Sequence, residues 1–428
     1  MRTEITIDGA DTAGANYITW APVRSSIRLV EANGGADPVD VLLRNQNSAE
    51  GGQIVFRDVI PGAEQDTLQV SLRADGTPTE FFVAGKFGHP SVEDKDATIE
   101  VVKATGQDVL STKALMVRIR KNANNLTDEE RDRFLSAFAE LNAKGLGRFR
   151  DFRDMHTNAS VREAHFNHGF LPWHRAYLLD LERELQQIDP SVALPYWRFD
   201  KPAPNLFTKE FMGEPNGAGV VQFEPGHPFE LWETDGGVGI TRTPLFDTET
   251  SPASPLPPLD PLLNEAATLN LGNRYADFRD METNPHGSAH ISFNASSLIF
   301  TIQNAARDPL FFLLHCNVDR LWARWQWLNQ RFDTANPDTY PFQGSAGDPG
   351  STRVGHNLMD SMWPWNGVTG TGAPNDRPPT APGGTLAASP AAAAPGPTPM
   401  VGDMIDFQAV NNSENRLGFG YARVRFAL

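Results

Sequence analysis

The chain has 428 residues and a mass of 47.0 kDa, enough for two or three domains with sizeable cores. Lys and Arg number 37 against 53 Asp and Glu, and the resulting net charge of −16 argues against nucleic acid and anionic lipid as partners. No apolar run approaches the roughly 18 residues of a membrane-spanning helix, and the single Cys316 excludes an internal disulfide framework.

The opening stretch, MRTEITIDGADTAG, lacks a basic segment followed by an apolar one, so no export signal is expected and a cytoplasmic location is the default. From about residue 15 onward apolar residues alternate in short runs: Ile27 and Leu29, then Val39, Val41 and Leu43, then Leu68, Val70 and Leu72, then Ile99 and Val101. That is the period of half-buried strands. Turn signals at Asn33-Gly34-Gly35, Gly51-Gly52, Pro61-Gly62 and Asp75-Gly76 separate them. The pattern predicts an antiparallel β-sandwich or barrel domain over residues 1–105. After Lys121 the texture changes. Thr127 and Glu130 form a capping-box pair ahead of Phe134, Leu135, Phe138 and Leu141 at helical spacing. Further helices are predicted at 173–188 and 309–330, the latter with Asp308 as N-cap and Pro309 in its first turn. Residues 200–270 read as long surface loops, and 374–399, with eight prolines, as a Pro/Ala-rich excursion within a domain spanning 106–428. The fold class expected is α+β and multidomain.

Seven of the ten histidines fall in two groups: His156, His165, His168 and His174, then His286, His290 and His315. His286 and His290 are four apart behind Asn284 and Pro285, a spacing that aims both imidazoles from one helix face at one ion. Asp319, four residues beyond His315, is positioned to orient an imidazole through its second nitrogen. The groups offer imidazole and little else, which suits copper, zinc, iron or nickel, and spacing alone leaves that choice open. His89, His227 and His356 read as ordinary hydrogen-bonded histidines. Cys316, about 100° around the helix from His315, reads as a small apolar core residue.

Two stretches, FLPWHRAYLLDLE and DPLFFLLHCNVDRLW, resemble the copper-binding signatures of the tyrosinase family, which includes catechol oxidases and, more remotely, haemocyanins. The family places a His nine residues before that of its PWHR motif, which selects His165 over His168. Its second pattern is matched by Asp308, Pro309, Phe311, His315 and Asp319. Similar segments occur at Arg120 to Asn122, in GHNLMDSMWPW and in the closing LGFGY. The resemblance covers about residues 115–428. It implies a mainly α, four-helix-bundle dicopper domain behind an extra β domain, with one copper on His156, His165 and His174 and a second on His286, His290 and His315. It implies an oxidase that uses O2 to convert o-diphenols to o-quinones, with some monophenol hydroxylation, acting on small phenolic molecules. It further implies Glu282 as the carboxylate that orients a water for proton transfer, with Gly287 where efficient hydroxylating members carry Asn. Glu163 replaces the Cys that tethers the second ligand in many relatives, and Leu314 replaces a second adjacent His. Phe166, Phe170, Trp173, Phe293 and Phe311 are candidate walls of a phenol pocket. An o-aminophenol oxidase, a haemocyanin-like O2 binder and a di-zinc hydrolase are the competing readings. A copper-delivery partner protein is compatible with the missing export signal.

Overall fold

The computed structural model describes residues 1–8, 16–31, 37–47, 51–106, 108–158, 160–234, 237–345, 354–370, 386, 389, 392 and 394–427. Most of the Pro/Ala-rich stretch at 374–399 and the Asn33-Gly34-Gly35 turn lie outside them. Two compact units emerge. The first comprises Met1–Ile119, Ser389–Ala393 and Gly418–Leu428, the second Arg120–Ala388 and Ala394–Leu417.

The first unit is β-rich. Its strands are β1 (Arg2–Ile7), β2 (Tyr17–Ile18), β3 (Val23–Glu31), β4 (Val39–Asn47), β5 (Ile54–Arg57), β6 (Thr67–Leu72), β7 (Thr79–Gly85), β8 (Ala97–Lys103) and β9 (Val109–Val117). They form a four-stranded sheet in the order β1-β3-β7-β5 and a five-stranded one in the order β2-β9-β8-β4-β6. All pairings are antiparallel except β2 with β9. The alternation seen in the sequence sets the register. Val41 faces Val70, and Leu43 faces both Leu68 and Val101, so each buried side chain meets another across the ladder. The domain boundary is not at 105/106 but after Ile119, because β9 pairs with β8 along most of its length and cannot be separated from the sheet. The chain's last segment also belongs here: the Trp20 indole donates to the Tyr421 carbonyl at 2.9 Å. A stretch more than 400 residues away in sequence completes this core, a contact no local pattern announces.

The second unit is helical. Its helices are α1 (Asp128–Asn142), α2 (Phe149–Met155), α3 (Val161–Ala164), α4 (Phe170–Ile188), α5 (Glu265–Leu269), α6 (Tyr275–Phe278), α7 (Ser288–His290), α8 (Ile302–Ala305) and α9 (Leu310–Asn329). Thr127 and Glu130 make both hydrogen bonds of the capping box that opens α1. Asp308 accepts from the Leu310 N–H at the start of α9 and is held by the buried Arg242 guanidinium at 2.6 and 2.8 Å. Among the described residues, 200–264 form loops with only two-residue ribbons, as their Pro and Gly content predicts, while the end of the predicted loop stretch is the short helix α5. Among the described residues no helix is long and apolar enough to cross a membrane.

The long helices α4 and α9 are joined by a buried ionic network. Arg175 on α4 donates to Asp319 on α9 at 2.6 Å and stacks 3.7 Å from the Trp322 ring centroid. Arg120 bridges Asp319 at 3.3 Å and Glu182 at 2.7 Å. Two guanidiniums and two carboxylates thus neutralise one another away from water, the condition under which buried charge is tolerated.

Candidate metal centre

Each of the six histidines singled out above is presented by a different local device. His156 ends α2 and His165 ends α3, while His174 sits inside α4. His286 lies in a π-helical turn, Thr283–Gly287, that contains a cis Asn284–Pro285 bond, and His290 closes the short α7. His315 sits inside α9. The Asn284 side chain accepts from the Leu263 N–H at 2.8 Å.

These rings converge. His156 Nε2 is 2.9 Å from His165 Nε2, and His290 Nε2 is 3.3 Å from His315 Nε2. His174 and His315 stack with centroids 4.3 Å apart and planes within 10°. Donor atoms of His156, His174 and His315 lie within 4.8 Å of one another, as do those of His286, His290 and His315. His315 therefore stands between the two groups, and His165 joins them through His156.

The other ring nitrogens show what holds the imidazoles. Nδ1 of His156 lies 3.0 Å from the Ile302 carbonyl, that of His174 2.8 Å from Phe170, that of His286 2.7 Å from Glu282 and that of His290 2.6 Å from Ile299. A carbonyl only accepts, so each Nδ1 carries the proton and each Nε2 presents a bare lone pair to the cluster. His165 Nδ1 faces the Glu282 carboxylate at 3.4 Å. Asp319 does not orient His315: its carboxylate is taken by Arg120 and Arg175, and His315 Nδ1 is buried with no hydrogen-bond partner.

Burial drives the imidazoles of His156, His174, His286 and His315 well below the usual histidine range, with neighbouring imidazoles adding to the effect. The same burial brings His290 to about 4. All five are neutral at physiological pH, the form that binds metal. Nε2 of His174 and of His286 are buried without a hydrogen-bond partner. Facing lone pairs and orphaned nitrogens are costly unless a cation lies among them. Two nitrogens bound to one ion at about 2 Å stand about 3 Å apart, which is the spacing found. The donor set fits imidazole-bound copper.

His168 lies apart from this cluster, its ring 4.5 Å from that of Phe342. The Cys316 thiol approaches the Leu194 carbonyl at 3.5 Å rather than the imidazoles. Phe170, Trp173, Phe293 and Phe311 are fully buried, and of the candidate pocket walls Phe166 alone is exposed. Glu163 is also buried, its carboxylate accepting from the Trp363 N–H at 3.0 Å. His356, read from sequence as an ordinary histidine, straps the ligand loop: Nδ1 accepts from the Gly169 N–H at 2.9 Å while Nε2 meets the Arg162 carbonyl at 2.7 Å. Its place in GHNLMDSMWPW was the signal available for that role.

The family profile described as the common central domain of tyrosinase matches residues 146–328, which contain all six imidazoles. The tyrosinase of Streptomyces antibioticus is 30% identical over 277 residues, covering 59% of this chain and 94% of that protein. The Streptomyces glaucescens tyrosinase is 31% identical over 274 residues, with coverage of 58% and 92%. Grixazone synthase of Streptomyces griseus is 31% identical over 268 residues, with coverage of 49% and 85%. With relatives matched along nearly their whole length and an imidazole cluster suited to copper, the chain belongs to the tyrosinase family and is an oxidoreductase of that type.

Proposed function

We propose that the chain is a dicopper polyphenol oxidase that oxidises o-diphenols to o-quinones with O2 and hydroxylates monophenols weakly. His156, His165 and His174 would hold one copper and His286, His290 and His315 the other. The paired ions supply the route by which four electrons pass from two diphenols to one O2, giving two o-quinones and two waters. The chain's own residues do the rest. Backbone carbonyls hold four imidazoles in the metal-binding tautomer. Glu282 accepts from the Phe166 N–H at 2.5 Å and steadies His165 from behind, so it is first a positioning residue. In the same reading its carboxylate takes a phenol proton through a water, a step needed because a phenol of pKa about 10 is scarcely ionised at neutral pH. Gly287 leaves that water without a side-chain amide, which favours diphenols over monophenols. In finer outline, the two sheets of the β-rich unit form a sandwich, and four helices of the second unit surround the copper pair. Copper reaches the site through a delivery partner.

The observation that carries this reading is the convergence of six imidazoles with their Nδ1 atoms anchored outward. An oxygen carrier would suit the same imidazoles, but the Phe166 ring beside His165 is open to solvent, which favours a site that admits a phenol. Copper content per chain, measured together with O2 uptake on catechol and on phenol, tests it. Two coppers with rapid catechol turnover are expected. Two coppers with reversible O2 binding and no turnover would reassign the protein as a carrier.

A further inference from the structure

Phe166 directly follows His165 and breaks two rules at once. Its φ is +59°, in the left-handed region that a bulky side chain rarely adopts, and its ring is 65% exposed. Burial of the ring therefore does little to offset the strain. The backbone is held in this conformation by the bond from the Phe166 N–H to Glu282, which any residue but proline could make. Nothing in the packing asks for a phenylalanine.

What surrounds the ring does. The Phe166 and His165 ring centroids are 5.8 Å apart, and the His165 and His286 rings stack at 5.9 Å. The residue after His286 is Gly287, where an added Cβ would meet nothing closer than the Glu282 carbonyl at 3.5 Å. Of two stacked imidazoles, one is thus followed in the chain by an exposed aromatic ring and the other by a residue with no side chain. His290, three residues beyond Gly287, is the member of the six whose residue surface is incompletely covered.

We propose that Phe166 is the docking platform for the aromatic ring of a diphenol, which packs between it and the open backbone at Gly287. The inference rests on the reading of the centre as a diphenol oxidase and adds to it the residue that recognises the substrate ring. Offset or edge-to-face aromatic contact predicts a modest, binding-only effect.

The test uses Phe166→Ala and Phe166→Tyr in the full chain, loaded either with copper or with zinc, which binds the same imidazoles without redox chemistry. Phe166→Ala should raise KM for catechol roughly three- to tenfold. Copper should stay at two per chain and kcat should be nearly unchanged. Calorimetry on the zinc-loaded variant should show catechol binding weakened by a similar factor, and Phe166→Tyr should restore both. An unchanged KM and unchanged binding would overturn the proposal. So would a fall in copper content or in kcat alone, which would make Phe166 a support for His165. If the copper-loaded wild type oxidises no catechol while zinc-loaded protein still binds it in a Phe166-dependent way, the oxidase reading fails and the platform stands.

Discussion

The six imidazoles divide into two kinds. His174 and His315 project from the middle of α4 and α9, two long helices locked together by Arg175 and Asp319, and their rings lie nearly parallel. His156, His165, His286 and His290 stand on short turns or helix ends, where no helix of adequate length fixes the backbone. Of these four, His156 and His290 are aimed by carbonyls from residues 302 and 299, His286 by the carbonyl of Glu282 and His165 by its carboxylate. A centre of this kind has a rigid spine and a set of adjustable flanks. The spine depends on burial and ion pairing, the flanks on individual hydrogen bonds.

The sharpest way to break that division is at the spine. His174→Ala or His315→Ala should lose copper and abolish diphenol oxidation, read by metal analysis and O2 uptake. Full activity in either would remove that residue from the centre. Behind the spine, Asp319→Ala strands two buried guanidiniums with one carboxylate, a loss on the order of 3–5 kcal/mol. In a unit of this size that lowers the melting temperature by about 10 °C, and an unchanged melting curve would show that the network is not what joins α4 to α9.

At the flank, Glu282→Ala should weaken copper binding by about 10- to 100-fold, the usual cost of removing a partner behind a metal-bound imidazole. Competition with a chelator measures it, and equal affinity would mean His165 needs no orientation.

Asp180 tests the spine by pH. It is buried on α4, accepts from the Trp365 indole at 2.7 Å, and burial raises its carboxyl to about 7. The Trp365 indole, Arg148 and Arg183 only partly oppose that rise, to which Glu184 adds. Above the ordinary carboxylate range the unfolded chain has lost this proton while the folded chain keeps it, so stability from this group declines as pH rises from about 4 to about 7. Asp180→Asn removes the titration, and its melting temperature should exceed that of the wild type by several degrees more at pH 8 than at pH 5. A constant difference would show that Asp180 ionises normally. The smallest effect expected is at Gly287, whose φ of −58° and free surroundings accept a side chain without strain. Gly287→Asn should raise the monophenol to diphenol rate ratio a few-fold, and no change would release that position from any part in proton transfer.

The division also explains which residues could be read in advance. α4 and α9 carry apolar spacing, and α9 is announced by Asp308 and Pro309, so the sequence locates both within three residues, and the candidate ligands inside them come with their helices. Asp319 shows where such reasoning stops. Its four-residue spacing from His315 is real, yet two arginines, one from α4 and one from the segment before α1, compete for the carboxylate and win. The boundary at 119 rather than 105 has the same origin, because β9 is weakly patterned alone and becomes a strand through its ladder with β8.

The sequence by itself located a β-rich segment ahead of a helical one and the long helices α1, α4 and α9, since these rest on spacing within short windows, and its resemblance to the tyrosinase family supplied the six candidate ligands. Only the tertiary structure decided which nitrogen of each imidazole faces inward, that Asp319 serves a salt network, that His356 straps the ligand loop, and that Phe166 alone of its aromatic neighbours meets solvent. The reason is physical: a residue's type and spacing fix what it can bond to, but carbonyls, guanidiniums and packed rings arriving from elsewhere in the chain choose among those bonds.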